Sequence, residues 1–184
     1  MPAPPPSGSL PPRLLAGLVA VADRLAQAGA EWLLAGSAGR ALQGFAVRPA
    51  DLDLEVSPRD ASAAAAALGV SLRRESGGGR ASVRAQTMIA RSRIDLTCDL
   101  EIDGPGGSLS PDFDRQRAWA APVEVAGRAV LLAPVEEALA RALALGEWEV
   151  LGRLAREAAA GAAGAPRAVY LAWRLSSARE SAAR

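Results

Sequence analysis

The chain has 184 residues, half of them hydrophobic, and its 21 basic and 20 acidic residues leave a formal net charge of +1. It contains no histidine and no lysine, which excludes a catalytic histidine, a histidine-bound metal and a P-loop or Schiff-base lysine. The single cysteine, Cys98, excludes an internal disulfide and a multi-cysteine zinc site. With no basic excess and few aromatic residues, the chain lacks a strong nucleic-acid signature.

The N-terminal part combines a proline-rich segment with an amphipathic one. Residues 1–12 have the composition of a disordered tail. From Leu14 to Leu25 the apolar residues recur at helical spacing, which predicts an amphipathic helix. This segment lacks the basic start of a signal peptide, and no apolar run reaches the roughly 20 residues that span a bilayer. We therefore expect a cytoplasmic protein that has no membrane partner.

The remainder of the chain alternates short strands with short helices, which predicts an α+β fold. Strands are predicted over residues 31–35, 51–56, 70–74, 81–89 and 93–102, and a short strand pair over about 123–132. Helices are predicted over residues 37–44 and from the Ser57-Pro58 cap to residue 68. Residues 103–111 have the composition of a loop. From Pro134 onward the chain is predicted to be largely helical, with breaks near Gly146 and over residues 161–166.

Two carboxylates, Asp51 and Asp53, alternate with leucines on one predicted strand. Side chains alternate along a strand, so both point to the same face, roughly 6.6 Å apart. This alternation is also typical of a half-exposed strand whose acids only face water. Against that interpretation, aspartate is a poor strand former, and like charges on one face destabilise each other. We interpret the pair as ligands of a cation, and oxygen donors in this arrangement suit Mg²⁺.

A third acid occurs in a similar context, where Asp95 lies between Ile94 and Leu96 on a later strand. Three carboxylates that converge from neighbouring strands are what a two-metal site requires. Asp99 is predicted to face the same side of that strand and is the alternative third acid. Asp95 is preferred because it is closer to the strand end that lies near the paired acids.

Gly36-Ser37 opens a predicted helix, and a turn of this kind offers free backbone N–H groups to an anion such as a phosphate. Because lysine is absent, a triphosphate clamp has to use arginine, and Arg40 and Arg48 are the nearest candidates. An ordinary surface role is the alternative for each. A further basic region is interpreted as a solvated strand face, with RNA or triphosphate contact as its alternative; it comprises Arg73, Arg74, Arg80, Arg84, Arg91 and Arg93.

These residues together resemble the signature of a known superfamily. Gly36-Ser37, a gap of 13 residues, Asp51-Leu52-Asp53 and the later Asp95 are similar to the DNA polymerase β-type nucleotidyltransferases. The similarity is to small bacterial members, of the aminoglycoside-nucleotidyltransferase-like and antitoxin types, and it covers about residues 31–100. It implies a nucleotidyltransferase fold with a small mixed sheet flanked by helices. Residues 13–132 would form this domain and residues 133–184 a helical C-terminal extension.

The resemblance also implies an activity. Gly36 and Ser37 would hold a triphosphate, while Asp51, Asp53 and Asp95 would be catalytic residues that bind two Mg²⁺ ions. The expected reaction moves a nucleoside monophosphate, AMP from ATP or another nucleoside triphosphate, to a hydroxyl of a small molecule, a protein or an RNA end. The alternatives are a catalytically silent nucleotide-binding domain and an antitoxin-like protein that regulates or adenylylates a partner.

The sequence departs from the superfamily at two points. Many relatives carry a threonine shortly before the paired acids, where this chain has Pro49-Ala50. Such a change removes a hydrogen bond that would orient the ligands of a metal. Lysine residues that relatives often carry are absent as well.

Overall fold

The computed structural model of the protein describes residues 9–159 and 167–181. Its helices are α1 (Pro12–Gln27), α2 (Gly36–Leu42), α3 (Ala61–Leu68), α4 (Phe113–Ala118), α5 (Val135–Ala144), α6 (Trp148–Ala159) and α7 (Ala168–Ser181). Its strands are β1 (Trp32–Leu34), β2 (Leu52–Val56), β3 (Arg73–Gly77), β4 (Arg80–Ile89), β5 (Ser92–Gly104), β6 (Gly107–Leu109), β7 (Ala121–Val125) and β8 (Arg128–Leu132).

The strands form one mixed sheet in the order β3-β4-β5-β2-β1-β8-β7, and β6 pairs with the end of β5. Strand β2 lies near the middle, parallel to β5 and antiparallel to β1. The β1–β8 pair is also parallel, whereas β3–β4 and β7–β8 are antiparallel hairpins. The small mixed sheet flanked by helices that the sequence predicts is therefore confirmed.

The main core lies between one face of this sheet and helices α1 and α3. In α1 the apolar residues repeat every three or four positions, so Leu14, Leu18 and Leu25 are fully buried. They pack against the buried side chains of β2, such as Leu52 and Leu54. Because side chains alternate along β2, its two acidic residues lie on the opposite face of the sheet.

The C-terminal helices α5 and α7 pack beside that opposite face and are joined to it by a buried ionic network. Arg141 of α5 donates two hydrogen bonds of 2.7 Å to Glu55 of β2 and one of 3.0 Å to Glu137. Glu137 also accepts hydrogen bonds from Tyr170 and Arg174 of α7. Helices α5 and α7 are thus tied to the strand that carries the paired acids.

Several element boundaries differ from the predicted ones. Ordered packing reaches back to Leu10, which is buried in the core, inside the segment predicted as a tail; residues 1–8 lie outside the described part. The helix predicted to start at Ser57-Pro58 begins at Ala61, because residues 58–60 form a turn closed by a hydrogen bond from Asp60 N to Ser57 O. Strand β6 lies inside the segment 103–111, which is predicted as a loop, and helix α4 follows that segment.

The predicted break over residues 161–166 lies outside the described residues. Within the described ranges, no helix combines the length and the apolar character needed to cross a bilayer.

Candidate active site

The pairing of β2 with β5 brings the predicted acids together. In this parallel pair Asp53 lies level with Asp95, and Leu52 and Leu54 lie level with Ile94 and Leu96. Asp51 directly precedes β2 and shares the parity of Asp53. The three carboxylates therefore belong to one face of the sheet, opposite the core.

Arg93 joins two of these acids. Its Nε donates a hydrogen bond of 2.8 Å to Oδ2 of Asp95, and its Nη2 lies 3.0 Å from Oδ2 of Asp51. Since one guanidinium group contacts both carboxylates, Asp51 and Asp95 face the same small space. The Asp95 side chain is only 2% exposed, whereas that of Arg93 is 55% exposed.

Asp53 has a shifted pKa. Burial, together with the charges of Asp51, Asp95 and Glu55, raises the pKa of Asp53 to about 6, although Arg40 acts in the opposite direction. A carboxylate whose neighbours are also carboxylates resists ionisation unless a cation offsets the repulsion. Perturbed pKa values of this kind concentrate at functional sites.

Carboxylates are the type of oxygen ligand that a hard divalent cation such as Mg²⁺ prefers. Oδ1 of Asp95 is buried and accepts no hydrogen bond from any described residue, so it has a lone pair available to a ligand. In the described part of the chain, no three carboxylates or thiols are arranged as a complete set of metal ligands. This agrees with the position of Arg93, which acts as the cation for Asp51 and Asp95 in this structure.

Gly36 lies directly against Asp53. It is the first residue of α2 and has a left-handed backbone with φ of +60°. A Cβ atom at this position would lie 1.7 Å from Oδ2 of Asp53, so any larger residue would displace the carboxylate. Ser37, which the sequence pairs with Gly36 as a phosphate ligand, is half-buried in α2 and lines neither of the two cavities described next.

Two adjoining cavities open beside Gly36. The larger, of about 550 Å³, extends from Gly36 and Asp53 to the β3–β4 hairpin. The smaller, of about 270 Å³, lies between α2, α5 and the start of α6, and its lining is largely apolar. Both cavities share Gly36, Glu55 and Arg141. Their sizes suit a small ligand rather than a folded macromolecule.

The two arginines that the sequence proposes for phosphate binding have different environments. Arg40 lines the smaller cavity, and its buried Nε has no hydrogen-bond partner among the described residues. Burial lowers the pKa of Arg40, and Asp53 is one of the charges near it. Arg48 is exposed on the connection from α2 to β2, where the neighbouring Pro49 turns inward, and it lines neither cavity.

Asp99, the alternative third acid, lies elsewhere. Strand β5 contains an extra residue opposite Ala81 and Val83 of β4, and Asp99 in this bulge has φ of +51°. The bulge breaks the alternation that places Asp95 and Asp99 on the same side in the sequence pattern. Asp99 instead lines a separate small cavity beside Cys98. The structure therefore brings Asp95, rather than Asp99, to the paired acids.

Three arginines of the predicted basic region lie at this site. Arg93 pairs with the acids, and Arg80 and Arg84 line the larger cavity. Arg80 and Arg93 are also half-exposed, as the interpretation of a solvated strand face expects. The parity of Arg93, two positions before Asp95, is a signal that could have identified it. Arg84 reaches the cavity because β4 pairs with β5, which places it level with Thr97.

Comparisons with known proteins add information on the fold. No family model and no curated protein matches the sequence. A solved structure from Thermotoga maritima, assigned as a nucleotidyltransferase, aligns with a TM-score of 0.62 and 21% identity over 80% of this chain and 90% of that chain. The chain has the nucleotidyltransferase fold. The resemblance seen in the sequence is confirmed at this level.

Two more solved structures with lower TM-scores carry related descriptions. One is an antigenic nucleotidyltransferase-like protein from Paracoccidioides brasiliensis, with a TM-score of 0.41 and 14% identity over 80% of this chain and 78% of that chain. The other is the aminoglycoside nucleotidyltransferase ANT(2″)-Ia in complex with adenylyl-2″-tobramycin, with a TM-score of 0.45 and 12% identity over 91% and 98%.

Proposed function

We propose that this protein transfers a nucleoside monophosphate from a nucleoside triphosphate, with ATP as the first candidate, to an acceptor hydroxyl. The observation that carries the proposal is the position of Asp51, Asp53 and Asp95 on one face of the sheet, where Asp53 lies against Gly36. The raised pKa of Asp53 supports the proposal, because a bound cation would offset the repulsion between this carboxylate and its acidic neighbours. The nucleotidyltransferase fold is consistent with this activity.

Asp51, Asp53 and Asp95 are the residues that would hold Mg²⁺. When bound, Mg²⁺ would supply the positive charge that favours a deprotonated acceptor hydroxyl and a departing pyrophosphate. The Arg93 guanidinium, which pairs with Asp51 and Asp95 in this structure, would have to leave them for the ion to bind. Since the Arg93 side chain is more than half exposed, it can turn towards solvent without breaking a packed core.

The chain's own groups suit the phosphates of a nucleotide. Gly36 has no side chain, so its backbone allows close approach of a ligand next to Asp53. Arg40 adds a positive charge on the same side, with at least one donor that is not used within the described residues. Buried guanidinium groups bind phosphate strongly because they present several donors in a fixed plane.

Asp95 is the proposed proton acceptor. In the transfer, the acceptor oxygen forms a bond to the α-phosphorus, and the bond from that phosphorus to the bridging oxygen breaks. Pyrophosphate leaves with the electron pair of that bond, and the hydroxyl proton passes to Oδ1 of Asp95. This oxygen accepts no hydrogen bond from the described residues, which leaves it available to a hydroxyl.

The test combines binding and transfer. A non-hydrolysable ATP analogue is titrated with Mg²⁺ by calorimetry, and label from ATP that carries ³²P at the α-phosphate is followed into a panel of metabolites, proteins and RNAs. Asp53→Asn should lower transfer by about 100-fold or more, because charge stabilisation is usually the largest catalytic contribution. Asp99→Asn, a matched change in the bulge of β5, should leave transfer unchanged.

A wild-type protein that does not bind the analogue would refute the proposal. Binding without transfer to any acceptor would instead support the silent nucleotide-binding alternative.

A further inference from the structure

We propose that the acceptor carries a phosphate or carboxylate group near its reacting hydroxyl, and that Arg84 binds this group. The inference rests on the proposed function and concerns the half of the larger cavity that lies towards β4. Arg84 would then determine acceptor specificity.

The arginines that line this cavity differ in their partners. Arg141 donates two hydrogen bonds of 2.7 Å to Glu55, a paired arrangement that uses both of its terminal nitrogens. Arg80 is hydrogen-bonded to Glu147. Both guanidinium groups are therefore already matched by a carboxylate of the protein.

Arg84 has no such match. Its closest carboxylate oxygens are those of Glu75, at 3.7 Å, and Asp95, at 3.8 Å, and both are beyond hydrogen-bond length. Within the described residues its guanidinium makes these two ion pairs and no hydrogen bond. An arginine offers five N–H donors, so Arg84 can bind an anion in a bidentate manner without losing a hydrogen bond to the protein.

The position of Arg84 separates it from the proposed phosphate site. Arg40 approaches Asp53 from α2, whereas Arg84 approaches Asp95 from β4, where it lies level with Thr97. If the triphosphate lies along Gly36 and Arg40, the acceptor occupies the side of Asp95 and Arg84. An anionic group on the acceptor would then meet Arg84 while the hydroxyl meets Asp95.

The remaining charges of the cavity argue against a polycationic acceptor. Apart from Asp53, its acids are Glu55, which is occupied by Arg141, and Glu75, which lies beside Arg84. Among the described residues, Glu75 is then the one carboxylate of this cavity left to receive an ammonium group, and a polycation needs several. A volume of about 550 Å³ and a net charge of +1 also favour a small anionic hydroxy compound over a nucleic acid.

The probes are ribose 5-phosphate, ribonate and ribose, which share one carbon skeleton, together with kanamycin as a polycation. Each is titrated by calorimetry into the protein saturated with Mg²⁺ and a non-hydrolysable ATP analogue. We expect an anionic sugar to bind more tightly than ribose or kanamycin. Tight binding of ribose 5-phosphate alone indicates a phosphate-bearing acceptor, and tight binding of ribonate alone indicates a carboxylate.

Three variants assign the effect to Arg84. Arg84→Gln should weaken binding of the anionic probe by about tenfold or more, a loss typical of a charged hydrogen bond, and should leave binding of the nucleotide analogue unchanged. Arg84→Lys should retain part of the affinity, because it keeps the charge but loses the bidentate geometry. Arg74→Gln removes an exposed arginine that pairs with Glu101 outside the cavity, and it should have no effect.

Equal affinity for anionic and neutral probes, or preferred binding of kanamycin, would overturn the inference. So would an Arg84→Gln variant that loses the nucleotide analogue, since Arg84 would then belong to the nucleotide site. Failure of the wild type to bind the analogue at all refutes the proposed function itself, so the two failures are distinguishable.

Discussion

Gly36 shows how one residue without a side chain decides the geometry of the site. The space that a Cβ would fill at this position is occupied by the Asp53 carboxylate, and the backbone there is left-handed. Two separate costs therefore attach to a substitution at Gly36, backbone strain and displacement of Asp53. Gly69 carries the first cost alone, because it has φ of +72° and open space around its Cβ position.

This pair of glycines gives a controlled prediction. Gly36→Ala and Gly69→Ala should each destabilise the protein by about 1 kcal/mol through the left-handed backbone. Only Gly36→Ala should also weaken binding of Mg²⁺ and the ATP analogue, since it moves Asp53. Urea denaturation and calorimetry measure the two effects. Equal nucleotide binding by the two variants would show that the contact between Gly36 and Asp53 has no functional role.

Arg93 also affects metal binding at the residue scale, because it forms ion pairs with two of the acids that are proposed to bind a metal. A metal ion has to compete with this guanidinium group for Asp51 and Asp95. Arg93→Met should therefore raise the affinity for Mn²⁺ several-fold in the absence of nucleotide, as measured by electron paramagnetic resonance of free Mn²⁺. Arg73→Met, an exposed change on β3, is the control. Lower Mn²⁺ affinity in Arg93→Met would mean that Arg93 preorganises the acids instead.

At the scale of elements, the ionic network around α5 links the site to the C-terminal helices. Burial pushes the pKa of Glu137 upwards, but the charges of Arg141 and Arg174 outweigh it and hold this pKa at about 2. Through Arg141 the same network reaches Glu55, two residues after Asp53 on β2. Substitutions in α7 should therefore affect the site through β2, although α7 does not line either cavity.

The sequence predicts an element well where neighbouring residues determine it, and poorly where contacts with distant parts of the chain determine it. Alternating leucines and acids predict β2, and parity alone places Asp51 and Asp53 on one face. The bulge at Asp99 depends on pairing with β4, so the sequence left Asp95 and Asp99 as alternatives. The segment 103–111 has glycine and proline throughout, which masks the short strand β6.

Glu136 and Glu137 fit the start of a helix by composition, yet their burial follows from partners in the distant residues Arg167 and Arg174.

At the scale of the whole molecule, the charge composition leaves few side chains that can make stability depend on pH near neutrality. The chain has no histidine, so a shifted carboxylate is the main side chain able to titrate between pH 5 and 8. Asp53, with a pKa of about 6, is in this range, whereas Glu137, with a pKa of about 2, remains ionised throughout it. Because the pKa of Asp53 is higher in the folded state than in the unfolded state, the folded protein binds the proton more tightly.

The metal-free protein should therefore become less stable as the pH rises through 6. Its free energy of unfolding should be about 1 kcal/mol higher at pH 5 than at pH 8, as measured by urea denaturation in EDTA. Asp53→Asn should remove this dependence and be the more stable protein at pH 8, because it relieves the repulsion from Asp51 and Asp95. Asp99→Asn should keep the wild-type dependence. With saturating Mg²⁺ the wild-type slope should reverse, since the ion binds the ionised carboxylate. A slope that persists in Asp53→Asn would show that another group titrates in this range.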